Sequence, residues 1–444
     1  MESTEELLDL FIIVSLLFLY PTVALEFSGS PISAPPPQPN SGIPPTSVSR
    51  PPVPALFVIG DSTADCGTNN FLLTLARADR LPYGRDFDTH QPTGRFSNGR
   101  IPVDYLGSVK DMIRGVNYAS AGAGIIFSSG SDLGQHFSLS QQIQQVYDTI
   151  EQFILTIGEE ATTKLITNSV FYISIGTNDY IHYYLRNESN VQSLYQPWSF
   201  NQFLAQTMRR ELKNLYVANV RKVVVMGLAP IGCAPYYLWL YGSRNGRCND
   251  FINYMILEFN FAMRYIVEEL NDELVDFNAI FCDAYEGSMH ILKNFKHFGF
   301  NVTSSACCGF GRYKGGITCL SPEMACSNAS NYLWWDQFHP TDAVNAILAD
   351  NIWSGLHTNM CSPVDLQDML TQSAKKSYFK YGIVMFFSTD GFRATNSFHS
   401  SLSIFPSPFE SASSNVFAEA SFKPKVINKH IHILFHYPRV TISE

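Results

Sequence analysis

The sequence predicts an α/β domain in which helices cover both faces of a parallel sheet. Three observations predict it. Strand-like and helix-like segments alternate from Ala55 to about Leu356. The runs "VFYISIG" (170–176) and "KVVVMGLA" (222–229) are apolar on successive residues, as strands buried on both faces are. The segments between strands carry apolar residues at helical spacing. That alternation feeds a parallel sheet through helical crossovers.

The elements follow in chain order. Residues 10–20, "LFIIVSLLFLY", form an apolar run broken only by Ser15. It is too short to span a bilayer comfortably and suits the apolar region of a secretory signal. A cleavage site is expected around Ala24. The acidic start (Glu2, Glu5, Glu6, Asp9) departs from a signal's basic beginning. Residues 1–25 therefore read as a signal peptide, with a membrane anchor as the alternative. Residues 26–54 hold ten prolines between Pro31 and Pro54, an extended spacer with no core of its own.

The folded domain is expected over 55–372. Its first strand, "ALFVIG" (55–60), stops at Gly60-Asp61-Ser62. "GVNYAS" (115–120) is the second. A helix follows, with Ile143, Val146, Tyr147, Ile150, Phe153, Ile154 and Ile157 on one stripe. Strand three is 170–176. The next helix places Phe203, Leu204, Met208, Leu212, Leu215 and Tyr216 inward, before strand four at 222–229. A helix over about 250–270 leads to a fifth strand, "LVDFNAIFCDAY" (274–285). The last helix, about 342–356, turns Val344, Ile347, Leu348, Ile352 and Leu356 inward. All these stripes read as core. Residues 373–444 are rich in Ser and Phe without periodicity, an atypical tail expected to be poorly ordered.

Bulk composition narrows the function. Hydrophobic residues make up 45% of 444, enough for a large core. A net charge of −9 provides no basic field for nucleic acid. Nine cysteines, five of them between Cys282 and Cys326, suit disulfides in an oxidising compartment. No CxxC pair appears, which argues against zinc. Cys233 and Cys248 would close a loop of about 15 residues, worth ~3 kcal/mol if bridged. An odd total leaves at least one thiol outside the intrachain pairs. Sequons at Asn187, Asn301 and Asn328 are candidates for N-glycosylation. Together these features point to a secreted, extracellular protein.

In an open α/β sheet, ligands sit beyond the carboxyl ends of the strands. Ser62 follows strand one. Gly122 lies in "NYASAGAG" after strand two, and Asn178 in "GTNDY" after strand three. Asp336 and His339, in "WWDQFHP", precede the final helix. Each has an ordinary reading: a turn serine, a glycine packing a helix close to the sheet, an asparagine cap, an Asp that accepts backbone N–H groups. Together they interlock as a hydrolase. A serine hydroxyl needs a base to become nucleophilic, and histidine can take its proton near neutral pH. The ring's other nitrogen needs an acceptor, which a carboxylate three residues back can supply. The Ser62 and Gly122 N–H groups and the Asn178 amide could receive the oxyanion. This chemistry calls for no metal and no cofactor.

"FVIGDSTADCGTNN", "NYASAGAG", "GTNDY" and "DQFHP" resemble, in order, the four blocks of the plant GDSL esterase/lipase family, part of the SGNH hydrolases. "RFSNGRIPVDYLG" and "GLAPIGCAP" are also similar to it. The resemblance covers roughly 55–370. It implies a flavodoxin-like, three-layer sandwich with about five parallel strands. It also implies Ser62 as nucleophile, Gly122 and Asn178 as oxyanion donors beside the Ser62 N–H, Asp336 as aspartate and His339 as base. The implied substrate is an ester or lipid, cell-wall or cuticle acyl esters included, with no obligate protein partner. The chain departs from the family pattern in its tail and in the short connection 104–116, which is expected to trim a helix on one face of the sheet.

Three other functions remain to be weighed. The same acyl-enzyme could pass its acyl group to a sugar or hydroxy-fatty-acid alcohol. A glycoprotein could bind lipid or cell wall without turnover, but a pure binder has no use for nucleophile, base and orienter together. A nucleotide- or flavin-binding domain is disfavoured because the turn after strand one lacks a Gly-rich phosphate cradle.

Overall fold

The computed structural model describes residues 54–106, 115–186 and 190–371. The expected leader (1–25), the spacer (26–54) apart from its last residue, the tail (373–444), Asn187 and residues 107–114 of the short connection lie outside the described residues.

Four strands, β1 (Leu56–Gly60), β2 (Val170–Ser174), β3 (Lys222–Met226) and β4 (Asn278–Cys282), pair parallel in chain order. A separate parallel pair joins β5 (Val302–Ala306) to β6 (Tyr332–Trp334). β7 (Cys361–Ser362) closes the far edge, antiparallel to β4. Alternate strand residues enter opposite cores. Phe57, Ile59, Phe171, Ile173, Val223 and Val225 join one cluster, and Val58, Tyr172, Val224 and Ile280 the other.

The helices divide accordingly. α1 (Pro102–Leu106) and α6 (Asp342–Ser354) cover the second face, with Val103, Val344, Leu348 and Ile352 buried there; α5 (Ala284–Lys293) adds Ile291. α2 (Leu139–Ile157), α3 (Pro197–Val217) and α4 (Asp250–Glu273) cover the first, through Ile143, Leu204, Met208, Ile256 and Phe259. The result is the expected α/β three-layer sandwich.

The expected strand at 115–120 is reduced to a single bridge, Asn117 with Val58. The run still lies beside β1, since Tyr118 N–H donates to Val58 O at 2.8 Å and Ser120 N–H to Gly60 O at 3.0 Å. Asn117 breaks its regularity by accepting from Ala119 N–H at 2.9 Å, a local turn that competes with the ladder. From β1 the chain thus goes first to one side and then to β2 on the other. That reversal opens a crevice at the carboxyl end of β1.

The fifth expected strand, 274–285, shrinks to β4 because Asp283 caps α5, accepting from Tyr285 N–H at 3.0 Å. Nor are all the stripes core. Ile154 and Ile157 are exposed, because the last residue of α2 to be fully buried is Val146. Phe203 is exposed against Tyr195, and Leu356 falls past the end of α6.

The expected bridge Cys233–Cys248 is present, with Cys282–Cys361, Cys307–Cys326 and Cys308–Cys319. Cys66 is the free thiol. No described helix is long and apolar enough to cross a membrane.

Candidate active site

Strand β1 ends in a turn fixed by its own backbone. Asp65 N–H donates to Asp61 O at 3.0 Å, while Asp61 N–H continues the ladder to Ser174 O. Gln142 of α2 clamps the strand end, accepting from Gly60 N–H at 2.8 Å and donating to Gly60 O at 2.9 Å. Ser62 is therefore presented from a rigid corner. After β6, a tight turn brings Trp335 N–H to His339 O at 2.7 Å. The turn aims His339 at the carboxyl end of β1.

The two meet. His339 Nε2 lies 2.8 Å from Ser62 Oγ, although 277 residues separate them. His339 Nδ1 lies 2.8 Å from Asp336 Oδ1 and 2.9 Å from Oδ2. Asp336 Oδ1 also accepts from the N–H groups of Phe338 and His339, at 3.0 and 2.9 Å. The carboxylate therefore fixes both the ring and the backbone that carries it.

Gly122 and Asn178 line the same cavity as Ser62 and His339, a space of about 530 Å³. Gly122 has φ +87°, where an L side chain is strained. A Cβ there would meet only Leu133 and Ala76 side chains at 3.4 Å or more, so glycine is required by the backbone and not by a helix packed close. Asn178 makes no side-chain cap bond. Its Nδ2 donates to Ala123 O at 2.9 Å, which commits one of its two hydrogens. All five expected residues converge on one cavity.

The profile of the family described as GDSL-like Lipase/Acylhydrolase matches residues 56–352. The chain belongs to that family. Among its relatives are two GDSL esterase/lipases of Arabidopsis thaliana, each 37% identical to it. One alignment covers 71% of this chain and 87% of the relative; the other covers 73% and 94%. GDSL esterase/lipase 7 of the same plant is 35% identical, over 72% of this chain and 93% of its own length.

In this GDSL-family chain the motif reads Gly60-Asp61-Ser62-Thr63, and several supporting residues escaped sequence reasoning. Tyr83, fully buried, donates its hydroxyl to Asp336 Oδ2 at 2.8 Å. Asp179 holds the loop after Gly122, accepting from Ile125 N–H, Ile126 N–H and Ser129 Oγ at 2.7–2.8 Å. Asp65 accepts from Gly67, Thr68 and Ala121 N–H groups. Asn69 donates to Ala76 O and Ala121 O. "GTNDY" did place Asp179 beside Asn178, but nothing local signals its partners 50 or more residues away.

Charge follows burial. Burial opposes the Asp336 carboxylate, but the His339 ring and its hydrogen bonds hold the pKa below 3.8. Burial pushes Asp61 and Asp179 up to about 6, against the hydrogen bonds each accepts. Burial, and then the Asp336 charge, raise Tyr83 well above 10, which keeps its hydroxyl a donor.

A second cavity of about 130 Å³ adjoins the first and shares Thr63, Thr177, Phe338 and His339 with it. Met226, Leu228, Leu292 and Leu348 make its lining largely apolar. Among the described residues no group of three or more His, Cys, Asp or Glu is arranged to hold a metal ion.

Proposed function

We propose that this protein is a secreted serine esterase that hydrolyses carboxylic esters through an acyl-enzyme on Ser62. The observation that carries this reading is the 2.8 Å contact between Ser62 Oγ and His339 Nε2. His339 takes the hydroxyl proton as Ser62 Oγ attacks the ester carbon. The oxyanion that forms is received by the N–H groups of Ser62 and Gly122 and the remaining Asn178 amide hydrogen. His339 then gives its proton to the departing alkoxide, the acyl carbon–oxygen bond breaks and the alcohol leaves. Water repeats the sequence on the acyl-enzyme, releasing the acid and restoring Ser62. Asp336 holds the ring in the tautomer that accepts at Nε2 and offsets its charge.

The adjoining apolar cavity suits the hydrocarbon part of an ester. Extracellular placement is supported by the four disulfides and by Asn301 and Asn328, both exposed sequon residues available to a glycan. Purified protein should hydrolyse a short-chain p-nitrophenyl ester, and Ser62→Ala should abolish turnover while leaving the thermal melt intact. Full activity in that variant would remove Ser62 from the mechanism.

A further inference from the structure

One stretch beside the cavity violates the usual rule for large apolar side chains. Phe71, Leu73 and Leu75 are 90%, 82% and 78% exposed, while Leu72 and Thr74 are half-buried and Ala76 is buried. Phe71 closes a short 3₁₀ turn (Thr68–Phe71), Leu72 leaves it in extended backbone, and the residues that follow alternate between outward and inward. The segment is tied down. Thr74 bridges Gly134, Gln135 N–H donates to Leu73 O at 2.9 Å, and Leu75 N–H donates to Leu133 O at 2.7 Å. Asn69 fastens its two ends to each other and to the Gly122 loop through Ala76 O and Ala121 O. The three side chains are held in water by a braced backbone, and Phe127, 64% exposed, projects from the loop after Gly122. Holding such groups out costs hydration free energy unless something covers them.

We propose that Phe71, Leu73 and Leu75 form an adsorption ridge that sets the cavity mouth against the surface of an aggregated, uncharged ester lipid. Two observations choose that occupant. Leu75 belongs both to the ridge and to the cavity wall, so whatever the ridge touches lies next to the opening. The run Thr68–Ala76, "TNNFLLTLA", carries no charge in a chain of net charge −9. A ridge without charge of its own matches a neutral lipid surface, where apolar burial alone supplies the attraction. The inference extends the esterase reading by naming the physical state of the substrate, but its test does not require turnover.

Full-chain Ser62→Ala protein is mixed with a trioctanoin emulsion, and the droplet-bound fraction is measured by flotation. The protein should bind, and adding Phe71→Ser and Leu73→Ser should lower the partition coefficient at least about tenfold, the scale expected for losing two such apolar contacts. The same pair of substitutions in active enzyme should leave hydrolysis of a dissolved short-chain ester unchanged. Leu73→Lys alone, if the pair does not fold, should give a loss in the same direction. Phe261, 75% exposed on α4, is the control, and Phe261→Ser should leave droplet binding unchanged.

Undiminished binding by the ridge variants would overturn the proposal, as would an equal loss from Phe261→Ser. So would a dimer in solution that the ridge substitutions dissociate, since the occupant would then be a second copy. Retained turnover in Ser62→Ala would sink the esterase mechanism and leave droplet adsorption standing.

Discussion

The Asp336 carboxylate receives four donors: two backbone N–H groups, the His339 ring and the Tyr83 hydroxyl. Tyr83 hydrogen-bonds Asp336 and not Ser62 or His339, so in the proposed mechanism it is a positioning residue. Tyr83→Phe removes one hydrogen bond to a buried charge, worth about 1.5–3 kcal/mol in such settings, part of which the remaining donors recover. Turnover should fall roughly tenfold with KM unchanged. Unchanged turnover, or a loss that appears in KM and not in kcat, would remove Tyr83 from the positioning of Asp336. Asp61 offers a second test. Its carboxyl is raised from 3.8 to about 6 by burial. The folded state therefore holds this proton more tightly than the unfolded chain does. The group supports folding below pH 3.8, and that support is withdrawn as pH rises to about 6. Asp61→Asn keeps the acceptor for Thr63 and abolishes the titration. The stability difference, variant minus wild type, should grow by about 1–3 kcal/mol across that window in urea unfolding. A difference flat with pH would refute the burial argument. At this scale the sequence displayed Ser62, Gly122, Asn178, Asp336 and His339, because their residue types carry the chemistry in local motifs. It hid Tyr83, whose partner is 253 residues away and whose own surroundings, "LPYGRDF", hold no cue to a carboxylate.

Among the elements, β1, β2 and β3 were legible because a strand buried on both faces must be apolar on successive residues. The run 115–120 misled for a nameable reason. Its composition is strand-like, but Asn117 spends its side chain on a local turn and on Ala64 O, at 2.8 Å. The apolar stripes of α2 and α3 identified helices correctly and overstated burial, since periodicity cannot report where a helix outruns the sheet beneath it. β7 was invisible, two residues long and defined by its partner. The Cys282–Cys361 bridge fastens it to β4 across 79 residues. In the chain-entropy account a loop of that length contributes about 4.5 kcal/mol. Replacing both cysteines with serine should lower the unfolding free energy by 2–5 kcal/mol. Ester turnover at a temperature well below the melt should survive, because neither β7 nor the bridge lines the site cavity. Unaltered stability would show that the sheet edge needs no covalent closure.

Over the whole molecule, one feature of topology makes the chemistry available. The chain leaves β1 toward 115–120 on one side and returns to β2 on the other. The strand's carboxyl end therefore faces an open crevice, and the turn after β6 drops His339 into it. The placement of the five residues beyond the strand ends and their interlocking chemistry pointed to this meeting, and the resemblance to a known family added the order of the blocks. Composition and periodicity alone stopped at an α/β scaffold with five suggestive residues. Labelling of the full-length protein with a fluorophosphonate probe, followed by mass-spectrometric mapping of the adduct, tests the meeting most directly. The adduct should sit on Ser62, be absent from Ser62→Ala and form far more slowly in His339→Ala. An adduct on a different residue, or labelling of Ser62 at an undiminished rate without His339, would contradict it.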